Sequence, residues 1–146
     1  MTSKFWGEFE HQLDDKGRVT VPADWRPGLA EGFFLCPGLD GTTCLNLLPM
    51  WRWAIIEETL LKVTYDDEAG VKLQRRFSSG IQTKLDGQGR VFIPPSLRTR
   101  GIISDRVTLF GAGDRIEIWD PEKRRQYEAD EFTAEGLREA VRKKPL

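Results

Sequence analysis

The feature that most constrains the fold is an internal repeat. Residues Leu13–Arg26 (LDDKGRVTVPADWR) align without a gap on Leu85–Arg98 (LDGQGRVFIPPSLR) at an offset of 72, with identity at seven of fourteen positions and a Val/Ile pair besides. Carried onward, the same offset places Gly41 on Gly113 and Pro49 on Pro121. Two copies at so long a period imply one duplicated half-domain, its copies related by a pseudo-two-fold axis, and not a solenoid.

The local chemistry of each copy predicts a hairpin tip. Asp14-Asp15-Lys16-Gly17 and Asp86-Gly87-Gln88-Gly89 place Asp first and Gly fourth in a type I turn. The carboxylate caps backbone N–H groups, and Gly supplies the left-handed conformation that closes the turn. The strand leaving each tip alternates, with Val19 and Val21, or Val91 and Ile93, on one side and Arg18 and Thr20, or Arg90 and Phe92, on the other. The arginines therefore face away from the core. Pro22 and Pro94-Pro95 end these strands and open short helices at 23–29 and 96–101.

A second hairpin is expected in each copy. Strands are read at Phe33–Cys36 and Val107–Phe110, turns at Gly38–Gly41 and Gly111–Asp114, and return strands at Thr43–Leu48 and Arg115–Trp119. Pro49 and Pro121 then open amphipathic segments, the first carrying Trp51, Ile55, Leu60 and Leu61, the second Tyr127, Phe132, Leu137 and Val141. Half-domains of about 50 residues bury too little apolar surface to stand alone, so the copies must pair.

Charge bears on the partner. A net charge of −1 is low for a phosphate-tracking surface, yet 84–106 holds five basic residues, Lys84, Arg90, Arg98, Arg100 and Arg106, against Asp86 and Asp105. The acids collect in 57–68 and 114–139, both read as helical and remote from any ligand. Nothing resembles a signal peptide or an 18-residue apolar span, so a cytoplasmic location is expected. Cys36 and Cys44 fit no metal-ligand spacing and are read as buried apolar residues. His11, the one histidine, has no companions at ligand spacing, so no metal and no cofactor are expected. Trp25, Trp51, Trp53 and Trp119 are read as core or subunit interface.

An enzyme reading would bring Asp14 and Asp86 together as a carboxylate dyad. Each Asp, however, has its own Arg four residues on and sits in an exposed turn, which lowers a carboxylate pKa. Nucleophile elbows, P-loops and dinucleotide fingerprints are also missing, so no catalytic activity and no small-molecule substrate are expected.

The doubled Asp-x-x-x-Arg signature, Asp14–Arg18 and Asp86–Arg90, runs in both copies into an apolar-x-apolar-Pro stretch. With the flanks GEFEHQLDDKGR and GDRIEIWD, the chain resembles the MraZ family from Gly7 to about Tyr127. The resemblance implies a mainly β, α+β architecture with flanking helices, a double-repeat AbrB-like swapped-hairpin β-barrel. The expected units are repeat 1 at 7–53, a helical connector at 54–78, repeat 2 at 79–122, and a C-terminal helix and tail at 123–146.

It also implies a transcriptional regulator, in the main a repressor, of the promoter of a division and cell-wall gene cluster. Such proteins bind repeated boxes in double-stranded DNA as ring-shaped homo-oligomers and associate with the nucleoid. Residue chemistry names the candidates: Lys16 and Arg18 first, Arg90 next, then Arg26 and Arg98, with Asp14, Gly17, Asp86 and Gly89 orienting the tips. An outward Arg beside a rigid turn can grip guanine or clamp a phosphate, and Lys16 suits a phosphate. The bland alternative for Arg18 and Arg90 is a pairing with their own Asp that stabilises the hairpin. For Arg26 and Arg98 a structural role is the favoured reading. The competing function is a ring-forming scaffold or protein-interaction module that does not bind DNA.

Overall fold

The computed structural model describes residues 2–39 and 42–144. Strand β1 (Phe5–Gln12) leads into the Asp14 turn and β2 (Arg18–Thr20), followed by a 3-10 helix at Ala23–Leu29. Next come β3 (Phe33–Pro37), β4 (Leu45–Pro49), α1 (Met50–Leu61) and α2 (Glu68–Phe77). The second copy runs β5 (Ile81–Thr83), β6 (Arg90–Phe92), α3 (Pro95–Arg100), β7 (Arg106–Gly113), β8 (Ile116–Trp119), α4 (Pro121–Glu131) and α5 (Ala134–Lys143).

The copies interlace. One antiparallel sheet has the order β1-β7-β8-β4-β3-β5, and β2 pairs with β6 in a separate two-stranded ribbon. Exchanging each strand for its counterpart reverses the sheet order onto itself, so the pseudo-two-fold axis passes between β4 and β8 and through the ribbon at Val19↔Val91. The first strand of each copy pairs with the third strand of the other, as expected for swapped hairpins. The sheet stays open, with β1 and β5 as its edges, so the expected barrel is not closed. The α+β architecture with flanking helices is present as expected.

The expected tips are turns but not the ends of simple hairpins. Asp14 N–H donates to Arg18 O at 2.9 Å, and Asp86 N–H to Arg90 O at 3.0 Å. Beyond that bond β1 leaves for β7, and β2 for β6.

The offset of 72 does not persist either. His11 opposes Val107 and Thr83 opposes Phe33, which aligns β3 with β7 at an offset of 74. Leu45↔Ile118 and Leu47↔Ile116 align β4 with β8 at an offset of 71, so Pro49 answers to Asp120, not to Pro121. The second copy carries two extra residues before its third strand and a shorter turn after it. The Gly41–Gly113 match, part of the Gly38–Gly41 turn, and Pro145-Leu146 of the expected C-terminal tail lie outside the described residues.

The main core collects the inward residues of both copies, among them Phe5, Leu13, Val19, Leu35, Leu45, Val91, Leu97, Val107 and Ile118. Fully burying side chains of this kind stabilises the fold by about 1.5–3 kcal/mol each. A second cluster lies under the helices: Phe34 stacks on Trp53 at 3.7 Å between ring centroids, with Phe77, Cys36 and Leu48 around them. Both cysteines are buried, and burial pushes the Cys36 thiol up to about 12. Trp25, Trp53 and Trp119 are core residues and Trp51 is half-buried.

Helix ends follow local chemistry. Pro27 inside 23–29 removes a donor, and the segment is a 3-10 helix. Asp67, Asp120 and Thr133 cap α2, α4 and α5 by accepting from Gly70, Lys123 and Gly136 N–H. Acidic stretch 57–68, expected as helix, is broken after Leu61 and resumes only at Glu68. Asp114 is not helical but sits between β7 and β8, where Arg52 Nε lies 2.7 Å away. Helix α5 ends at Lys143, within the segment expected as C-terminal helix and tail.

Candidate nucleic-acid interface

The ribbon of β2 and β6 builds the site. Its inner face is Val19 opposite Val91, both fully buried, and its outer face pairs Arg18 with Phe92 and Thr20 with Arg90. Two further bonds lengthen it, Val21 N–H to Gly89 O at 3.0 Å and Ile93 N–H to Gly17 O at 2.9 Å. The duplication thus brings both Asp-x-x-x-Arg motifs onto one rigid ribbon.

Each turn has the expected geometry. Gly17 N–H donates to Asp14 O at 3.1 Å and Gly89 N–H to Asp86 O at 3.0 Å, with φ of 81° at Gly17 and 74° at Gly89. Both values lie in the left-handed region that glycine adopts without steric cost.

The aspartates organise everything at the tips. Asp14 Oδ1 accepts the N–H of Lys16 at 2.9 Å and of Arg18 at 2.8 Å, while Oδ2 accepts Arg18 Nε–H at 2.7 Å. Asp86 repeats the pattern with Gln88 N–H and Arg90 N–H, both at 2.9 Å, and with Arg90 Nε–H at 2.8 Å. Each Arg is thus held through Nε, and its terminal nitrogens make no hydrogen bond to the turn aspartate, although Arg90 Nη1 also lies 3.8 Å from Asp14 Oδ2. The backbone N–H of Arg18, with its guanidinium and the Lys16 N–H, lowers the Asp14 carboxyl to about 2. Asp86 is lowered by Arg90 and Gln88 in the same way. Both carboxylates stay ionised near neutrality, whereas a catalytic dyad would have to share a proton.

The other candidates divide. Lys16 is exposed at the first tip, with Gln88 in its place at the second. Arg26 and Arg98 are half-buried and lie against the turns: Arg26 Nε–H donates to Val21 O at 2.9 Å. Arg106, one of the five basic residues of 84–106, pairs with Glu10 at 3.0 Å. Two outer-face residues, Thr20 and Phe92, were not among the candidates. The available signal was their place at outward positions of the alternation, and Phe92 is a large apolar side chain 45% exposed.

The family model described as "MraZ protein, putative antitoxin-like" matches twice, over residues 5–75 and 77–143. The chain belongs to the MraZ family. It is similar to the transcriptional regulator MraZ of Natranaerobius thermophilus, 37% identical over 139 residues that cover 94% of this chain and 96% of that protein. The transcriptional regulator MraZ of Acetivibrio thermocellus is 36% identical, with the same coverage. That of Heliobacterium modesticaldum is 38% identical over 124 residues, 84% of this chain and 85% of its own. In this MraZ chain no helix among the described residues is long and apolar enough to cross a membrane.

Proposed function

We propose that this chain is a sequence-specific, double-stranded-DNA-binding regulator of transcription, with no catalytic activity, that reads DNA with the outer face of the β2–β6 ribbon. The observation that carries the reading is the pair of arginines, Arg18 and Arg90, each held through Nε by its own turn aspartate on one exposed ribbon. A two-stranded ribbon fits the major groove, and an arginine fork suits guanine O6 and N7 or a phosphate. Holding the forks in place before binding lowers the entropy lost on complex formation.

In this reading Arg18 and Arg90 read bases, Lys16 meets a phosphate, and Asp14, Gly17, Asp86 and Gly89 set the tips. The target is the promoter of a division and cell-wall gene cluster, where a cytoplasmic, nucleoid-associated ring of copies represses by engaging repeated boxes. The relatives' name, transcriptional regulator, supports the coarse part of this reading.

A net charge of −1 favours one second reading, a ring-forming scaffold without DNA contact. The test is binding to the promoter fragment upstream of the chain's own gene against a scrambled fragment, with Arg18→Ala and Arg90→Ala alongside. Discrimination that is lost in Arg18→Ala, with circular dichroism unchanged, supports the regulator. Absence of discrimination at moderate salt leaves the scaffold.

A further inference from the structure

The short helices that follow the ribbon strands carry, in their last turns, arginines that cross to the other copy. The space a Cβ would take at Gly89, in the second turn, is filled by the Arg26 side chain from the first copy. At Gly17, in the first turn, an added Cβ would lie 3.1 Å from Arg98 Cζ of the second copy. The two contacts are pseudo-symmetric, and each involves a buried glycine.

Each arginine is anchored where the copies are joined. Arg26 Nε–H donates to Val21 O, and the Val21 N–H in turn donates to Gly89 O. Arg98 packs on Gly17, whose O accepts the Ile93 N–H, and its own Nε is buried with no hydrogen-bond partner among the described residues. A half-buried guanidinium wedged on a glycine is poorly placed to reach a phosphate but well placed to fix the turn beneath it. The turn then fixes Asp86 and Arg90, or Asp14 and Arg18.

We infer that Arg26 and Arg98 are positioning residues that act across the duplication: Arg26 orders the Asp86–Arg90 tip and Arg98 orders the Asp14–Arg18 tip. The inference rests on the ribbon being the DNA-reading face, and it assigns each arginine to the copy it does not belong to. A DNA ligand would therefore meet two tips, each ordered by an arginine of the other copy, although no contact joins the ligand to Arg26 or Arg98.

The test is a set of double-mutant cycles on the full chain, read by DNA affinity and by amide hydrogen exchange. Arg26→Ala is expected to weaken promoter binding about tenfold alone and in an Arg18→Ala background, but less than about twofold in an Arg90→Ala background. Arg98→Ala should show the opposite pairing. Neither should change the slope of log K against log salt, whereas loss of a phosphate contact lowers it by about 0.9. Coupling of Arg26 to Arg18, full additivity in both backgrounds, or a reduced salt slope in either variant overturns the inference.

Exchange needs no DNA. Arg26→Ala should speed exchange of the Gln88 and Arg90 N–H groups and leave those of Lys16 and Arg18 unchanged, with Arg26→Lys intermediate. Uniform acceleration, or none, would show that the arginine does not order the far tip. If the unmutated chain fails to discriminate DNA fragments, the regulator reading fails, and exchange alone decides whether the arginines order the tips.

Discussion

Arg90 Nη1 lies 3.8 Å from Asp14 Oδ2, although the two residues belong to different copies. Arg90 therefore serves two carboxylates, since its Nε is 2.8 Å from Asp86 Oδ2. Arg18 has no matching ion pair with Asp86 among the described residues, so the pseudo-symmetry breaks here. Asp14 helps to place both arginines, Asp86 only one.

Asp14→Asn should accordingly harm recognition more than Asp86→Asn. Removing either negative charge raises non-specific affinity, so the quantity to compare is the ratio of promoter to scrambled-fragment affinity. That ratio should fall about tenfold for Asp14→Asn and only a fewfold for Asp86→Asn, by the loss of pre-ordered charge-assisted bonds. Equal effects would mean that the 3.8 Å contact carries no function.

The depressed carboxyls give a pH dependence of definite sign. The folded Asp14 carboxyl titrates at about 2, below its ordinary value of 3.8, so its contribution to stability is fully present above 3.8 and is lost as pH falls through about 2. Asp86 is shifted in the same direction. Carbon-detected NMR titration should place the Asp14 midpoint near 2 and the Asp86 midpoint below 3.8. Between pH 5 and 8 these groups should leave stability flat. An Asp14 midpoint near 4 would show that the turn is not preset.

The turns and the ribbon were legible in the sequence because their chemistry is local. Asp14, Gly17, Asp86 and Gly89 specify a turn within four residues, and the Val19, Val91 alternation specifies which face is buried. The interlacing of the copies came only through the family resemblance and not from local chemistry, since β1 meets β7 across about 100 residues of chain and no local signal distinguishes that partner from β2. The drift in offset was hidden for a related reason: the two extra residues fall in a loop, where length is cheap, so the motif alignment around them stays good. Pro49 on Pro121 was a coincidence of a residue type that favours helix starts. Burial of Arg26 and Arg98 on the opposite turns was likewise beyond local reading, because it depends on how the copies interlace.

That inserted loop contains a strained residue. Ile102, just after α3, has φ 53°, a conformation that a β-branched side chain adopts at a cost of about 1–2 kcal/mol. The Ile103 N–H donates to Arg98 O at 2.9 Å, the bond that closes a helix whose next residue is left-handed, a place where glycine is usual. Ile102 is 48% exposed, so truncation gives up the buried half of the side chain and offsets part of the strain relief. Ile102→Gly should therefore raise stability by up to about 1 kcal/mol in urea unfolding, the strain relief less the added chain entropy of glycine. A lower midpoint would mean that the burial lost on truncation outweighs the backbone strain.

Val19 and Val91 sit face to face on the pseudo-two-fold axis, fully buried under the arginine-bearing surface. Each alanine substitution should cost about 1–3 kcal/mol, from lost transfer free energy and the cavity left behind. Because they are direct cross-strand partners, the first deletion already loosens the contact that the second would remove. The double variant should therefore cost less than the sum of the singles by at least about 0.5 kcal/mol. Strict additivity in urea unfolding would mean that the ribbon does not hold the two copies together at this point, and that the arginines above it are placed by the turns alone.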